Sequence, residues 1–225
     1  MKIIAIANSK KGIGKSRTAW DLLVALDDAG IKAAAIDFRA DGLMAALNAV
    51  RAANTFPTMP VFLAAKAGEI GALLKERKRE ATEIVLINTL AGCPVEDICA
   101  MASPAQMVLI PTLPTSADIA STTALVRPLV KAGKAIRFLL VQTSAGGANY
   151  DKTFLEGLGM TAEQARQMLV PTSIGCRPDF MSNLNKLGLG VLEAYGNASV
   201  NQEMVGFASQ EIRQLRQFLR DELDF

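Results

Sequence analysis

The chain contains no histidine, which removes imidazole from any account of acid–base catalysis or metal ligation. Cysteine is scarce as well. Cys93, Cys99 and Cys176 are the only three in 225 residues, and none stands in the paired CxxC spacing of a zinc site. Aromatic residues make up 5%, while half of all residues are apolar, a balance that favours many packed helices and leaves ample material for a core. No apolar run reaches the roughly 20 residues of a membrane span. The N-terminus MKIIAIANS runs into a Gly-rich turn rather than a cleavage site, so the expected compartment is cytoplasmic. No Pro/Gly/Ser-rich linker divides the chain, and one domain is expected over residues 1–225. A formal charge of +2 does not mark a nucleic-acid surface, although a basic patch can hide in a near-neutral total.

Short apolar runs at 3–7, 33–36, 84–87, 107–110, 138–141 and 168–170 alternate with longer amphipathic stretches. Such order predicts an α/β fold: a mainly parallel, twisted sheet with helices on both faces and ligands at the carboxyl ends of its strands. The first three runs end in polar residues, Asn8-Ser9, Asp37 and Asn88. The segment Lys75-Glu76-Arg77-Lys78-Arg79-Glu80 reads as the solvated end of a helix, its cations suited to the negative pole of the helix dipole.

After the first run comes Ser9-Lys10-Lys11-Gly12-Ile13-Gly14-Lys15-Ser16, and Arg17-Thr18-Ala19-Trp20 continues with helical apolar spacing. Strand, glycine-rich loop and helix form the context of a P-loop, in which inward-turned N–H groups and a helix N-terminus cradle phosphates. Lys15 is placed to reach the terminal phosphates of ATP, and Ser16 to offer its hydroxyl to Mg²⁺. Lys11, Gly12, Ile13, Gly14 and Arg17 complete the expected nucleotide-binding loop. Ser9 stands where GxxxxGK[ST] has its first Gly, so the strict motif is missed by one residue.

Lys10 through Ser16 resembles the deviant Walker A motif, KGGxGK[ST], of the ParA/MinD ATPases. The resemblance implies a P-loop NTPase fold with bound ATP and Mg²⁺. It makes Lys10 the signature lysine, which in that family reaches the nucleotide of a second subunit, so an ATP-dependent homodimer is implied; ordinary solvated charge is the alternative reading of Lys10. Lys11 stands where the family has Gly, and if that position requires positive φ a side chain costs about a kcal/mol or more.

The segment Asp37-Phe38-Arg39-Ala40-Asp41-Gly42 is similar to the family's switch I, whose two acids order metal-bound and attacking water. Asp37 matches the first acid, with a metal-binding and catalytic role implied. Arg39 replaces the second. Asp41 is a substitute catalytic acid or, more simply, a helix N-cap. The segment Asn88-Thr89-Leu90-Ala91-Gly92 is similar to the D-x-P-A-G of switch II, with Asn88 in place of the acid and Gly92 able to offer its N–H to a γ-phosphate. Two lost acids predict slow hydrolysis, or nucleotide binding without turnover.

Further along, Val108 to Asp118, with Pro111 and Pro114, is similar to a turn of small plasmid-partition ParA proteins. Gln142 and Pro171 match positions that the family places beside adenine. Residues 205–223 repeat Ile212, Leu215, Leu219 and Leu223 at helical spacing, but the acidic ending opposes an anionic lipid surface. Packing on the domain is expected there, without a membrane partner.

Four functional classes follow. The leading one is a ParA-type ATPase in plasmid or chromosome segregation, with a centromere-binding adaptor and nonspecific DNA as partners. Lys152, Arg166, Arg177, Lys186, Arg213 and Arg216 are its candidate DNA-contacting cations. The others are a MinD-like positioning switch acting on a membrane or protein, a metabolic relative such as dethiobiotin synthetase or the iron–sulfur nitrogenase reductase, and a degenerate nucleotide-binding module.

Overall fold

The computed structural model describes residues 1–38, 42–113, 115–142 and 161–225. Its strands are β1 (Lys2–Ile6), β2 (Ala33–Asp37), β3 (Val61–Leu63), β4 (Ile84–Asn88), β5 (Met107–Thr112), β6 (Ala135–Gln142) and β7 (Leu169–Gly175). They form one sheet in the order β3-β2-β4-β1-β5-β6-β7, and every neighbouring pair is parallel. The helices are α1 (Lys15–Asp28), α2 (Leu43–Ala53), α3 (Ile70–Arg79), α4 (Val95–Ala102), α5 (Ser116–Lys131), α6 (Ala162–Met168), α7 (Pro178–Leu187) and α8 (Gln202–Leu223).

Alternation along the strands divides the apolar residues between two cores. Ile4 and Ile6 of β1 face one core with Leu22 and Leu26 of α1, Leu47 of α2, Leu184 of α7 and Leu215 of α8. Ile3 and Ala5 face the other, with Ile70 of α3, Ile98 of α4 and Leu125 of α5. The sheet is therefore covered on both faces, which is why its central strands are apolar on both sides.

All six expected strands are present, and two features correct the reading of the sheet edges. The first is β3, an edge strand of three residues that the apolar runs did not mark. Over its Phe62 lies the guanidinium of Arg77, 3.6 Å from the ring centroid, with Arg77 buried and also bonded to Glu80. That arginine is a cover for the edge strand, not part of a solvated helix end. The second is Pro171, which stands just beyond the apolar run at 168–170. It lies inside β7, the opposite edge, where the register slips from Phe138↔Leu169 to Leu140↔Ser173. A bulge on an edge strand accommodates a residue that lacks an N–H donor.

The C-terminal helix α8 is capped by Asn201, whose side chain accepts from the Met204 N–H. Its apolar stripe, including Val205, Ile212, Leu215 and Leu219, is buried in the first core, as the packing expectation required. Among the described residues no helix is long and apolar enough to cross a membrane.

Candidate nucleotide site

Strand β4 lies between β2 and β1, with Asn88 in register with Asp37 on one side and Ile6 on the other. The chain leaves β1 through the buried Asn8, whose amide donates to the Pro111 carbonyl and whose Oδ1 accepts from the Lys10 N–H. It then turns through residues 9–14 into α1. Gly12 and Gly14 adopt φ of 74° and 85°, left-handed conformations that side chains resist. Gly14 caps α1 without a side-chain hydrogen bond, so the first N–H groups of the helix stay open toward the loop. Ile13 is buried and anchors the loop to the fold.

A cavity of ≈ 390 Å³ opens over this turn. Residues 11–17 line it, together with Gly42 and Leu43 at the start of α2 and with Asn88, Thr89 and Ala91 after β4. Lys15 is buried and donates to the Lys10 carbonyl at 2.7 Å, bridging the loop from inside. Burial drives its pKa down from 10.5 to about 8, with nearby Cys93 opposing the shift. Such a lysine regains full charge when an anion enters beside it.

On the cavity floor the Asn88 amide nitrogen donates to Ser16 Oγ at 2.9 Å and to Asp37 Oδ1 at 3.0 Å. Ser16 comes from the first turn of α1 and Asp37 from the end of β2, so three elements converge here. Asp37 and Asn88 are both buried, and the Asn88 Oδ1 lacks a hydrogen-bond partner. An unsatisfied buried oxygen next to a hydroxyl and a carboxylate fits the surroundings of a hydrated divalent ion. Ser16 and Asp37 would hold the ion, and Asn88 would steady both without adding charge. Among the described residues no group of three His, Cys, Asp or Glu side chains that could hold a metal ion exists.

Other expected site residues are placed differently. Lys11, at the family's glycine position, has no positive φ, so the expected backbone strain is absent. Its side chain instead lies across Gly92, where an added Cβ would sit 2.6 Å from Lys11 Cε. Gly92 has φ of 75°, and its N–H is already bonded to the Ser9 carbonyl at 2.8 Å rather than open to a phosphate. Arg17 lines the cavity, but its guanidinium is spent on Asp21, on Asn185 Oδ1 and on the Leu189 carbonyl, tying α7 to α1. Gln142 and Pro171 line a separate cavity of ≈ 300 Å³ between β6 and β7, and they share no wall with the phosphate loop. Arg39 and Asp41 lie outside the described residues, and the N-cap of α2 is Gly42.

The Lys10 ammonium is 2.6 Å from Asp118 Oδ1. Asp118 is fully buried in the first turn of α5, where it also accepts from the Thr115 hydroxyl. Sequence reasoning assigned Asp118 no role. The signal was there, because Thr115-x-x-Asp118 is a helix-start pattern at the carboxyl end of β5, where ligands of such sheets bind. Among the candidate DNA cations, Arg177 is paired with Glu211, Arg216 donates to the Ala25 carbonyl, and Arg213 lies over the Tyr195 ring. Lys152 and the side chain of Arg166 are outside the described residues.

Neither a family model nor a curated protein matches the chain. Solved structures do match over almost its full length, and these neighbours are MinD- and ParA-type ATPases. MinD in the MinC:MinD cell division complex of Aquifex aeolicus has a TM-score of 0.70 at 16% identity, covering 98% of this chain and 96% of that one. MinD of Pyrococcus horikoshii, complexed with Mg-ADP, has a TM-score of 0.65 at 18% identity, covering 97% and 95%. A Borrelia burgdorferi protein described as a plasmid partition protein, bound to AMPPNP, has a TM-score of 0.64 at 16% identity, covering 98% and 99%. The chain has the fold that these ATPases share.

Proposed function

We propose that this chain is an ATP-binding dimerisation switch of the ParA/MinD type with slow or absent hydrolysis. The observation that carries the reading is the convergence of an open helix N-terminus, buried Lys15 and the Ser16–Asn88–Asp37 cluster on one cavity. The N–H groups and Lys15 would hold the phosphates, and Ser16 with Asp37 would hold Mg²⁺. That ion, when bound, draws charge from the terminal phosphates. Asn88 fixes the rotamers of Ser16 and Asp37 through its two N–H bonds. Being neutral, it cannot help to ionise or orient a water as a carboxylate does, which supports slow turnover.

The ATP-bound state would be a homodimer for which Lys10 leaves Asp118 and turns to the second subunit's nucleotide. Within this family of switches we favour the ParA-type role in DNA segregation, in the cytoplasm, with an adaptor protein and nonspecific DNA as partners. Burial of the apolar stripe of α8 speaks against a membrane-bound tail. DNA binding of this kind rests on phosphate contacts, so log affinity should fall linearly with log salt with a slope of several units. A salt-insensitive signal favours a protein-directed positioning switch instead. The reading as a whole is tested by calorimetric titration of ATP into wild type and Lys15→Ala. Micromolar or tighter binding that disappears in the variant supports it, and equal affinity in both rejects it.

A further inference from the structure

Three lysines crowd the phosphate loop, and their engagements differ. Lys10 is paired with Asp118, and Lys15 donates to the Lys10 carbonyl. Lys11 has neither kind of partner among the described residues: it is an exposed residue that lines the cavity, and the end of its side chain packs on Gly92. The position of an added Gly92 Cβ is 3.4 Å from the Lys11 ammonium nitrogen, which places that charge where the loop after β4 meets the phosphate turn. A side chain at position 92 would displace the end of Lys11 from this path, so Lys11 and Gly92 are packed together. The Gly92 N–H is committed to Ser9, whereas the Lys11 ammonium has no hydrogen-bond or ion-pair partner among the described residues.

Among the described residues that line the cavity none is acidic. Asn88 bridges Ser16 and Asp37 with N–H groups, so two oxygens that would face a cation already accept hydrogen bonds from an amide. A site with a neutral residue at the metal position and an added cation at the phosphate position has moved its positive charge from a bound ion to the protein. We infer that Lys11 acts as a second phosphate clamp that replaces part of the work of Mg²⁺, making triphosphate binding only weakly dependent on a divalent ion. This inference rests on the nucleotide-binding reading above.

The test is equilibrium binding of ATP and ADP, each in Mg²⁺ and in EDTA, to wild type, Lys11→Gly and Asn88→Asp. Lys11 is a loop residue with an exposed side chain, and thermal melting checks that Lys11→Gly remains folded. Wild type should lose no more than about fivefold in ATP affinity on removal of Mg²⁺, and Lys11→Gly should lose more than about tenfold, since a close cation on a partly buried phosphate has a large electrostatic effect. Asn88→Asp should raise the metal dependence, because an added carboxylate repels the bare triphosphate and attracts the ion. Tight wild-type binding only in Mg²⁺, or full EDTA affinity in Lys11→Gly, overturns the clamp while leaving nucleotide binding intact. No binding of either nucleotide by wild type in any buffer overturns the nucleotide reading itself, and the clamp with it.

Discussion

The Lys10 ammonium lies 2.6 Å from the buried carboxylate of Asp118 in the same chain, joining the phosphate loop to the start of α5. Lys10 is partly exposed, so its own burial costs little, but Asp118 would lose its cation if Lys10 were truncated. Lys10→Met should therefore destabilise the free protein by about 1–3 kcal/mol in urea unfolding, the cost of leaving a buried charged group short of a partner. Adding Asp118→Asn should recover part of that loss, since no unpaired carboxylate remains. Equal stability of wild type and Lys10→Met would show that Asp118 does not depend on Lys10.

Lys15 gives the site a pH dependence with a definite sign. Its pKa in the free protein is lowered to about 8, chiefly by burial, whereas the unfolded chain keeps the ordinary 10.5. The unfolded state thus binds more protons between these values, and the group's contribution to the stability of the free protein improves as pH rises through that window. Nucleotide binding behaves oppositely. A phosphate raises the Lys15 pKa again, so binding takes up a proton, and affinity should be flat in this group below pH 8 and fall above it by up to about tenfold per unit. Calorimetry of ATP binding between pH 7.5 and 9.5 in buffers of different ionisation enthalpy reads the proton uptake directly. Affinity that is constant or rising over this range would contradict the assignment of Lys15.

Turnover should be limited by the neutral amide at Asn88. Asn88→Asp is expected to raise the steady-state ATPase rate by tenfold or more in saturating Mg²⁺, a barrier lowered by about 1.4 kcal/mol. Arg39→Asp tests the second departure, and the double variant should not be additive if both act on one ion and one water. A wild-type rate already equal to that of the double variant would mean that Asp37 or Asp41 is sufficient for hydrolysis.

The sheet and the phosphate loop were legible because each depends on local pattern. β1, β4 and β5 are buried on both faces, so their continuous apolar runs mark them, and the loop announces itself through glycines at fixed spacing. β3 was missed because three half-exposed residues carry no such run, and its stabiliser, Arg77, comes from a helix beyond it. The run at 168–170 stopped short of β7 because Pro171 interrupts it, and a proline fits inside a strand only at a sheet edge or a bulge. The contacts of Lys10 with Asp118 and of Lys11 with Gly92 join residues 108 and 81 positions apart in the chain, and spacing alone does not bring them together.

The C-terminal helix supplies a further check on partner choice. Leu215 is completely buried against the first core, so Leu215→Ala should cost about 2–5 kcal/mol, as large-to-small changes in packed cores do. Wild type should not co-sediment with anionic vesicles in ATP or ADP, because the apolar stripe is already used. Full stability of Leu215→Ala together with vesicle binding would show that α8 leaves the fold and serves as a membrane tail.

ATP is expected to join two copies of this chain through Lys10, and light scattering coupled to size-exclusion chromatography reads the mass of the resulting species. Wild type should show the monomer mass without nucleotide and with ADP, and twice that mass with ATP. Lys10→Ala should remain monomeric in ATP while still binding it in a parallel titration. A wild-type mass that is the same in all three conditions, or an ATP-induced dimer that forms equally well in Lys10→Ala, would contradict the account.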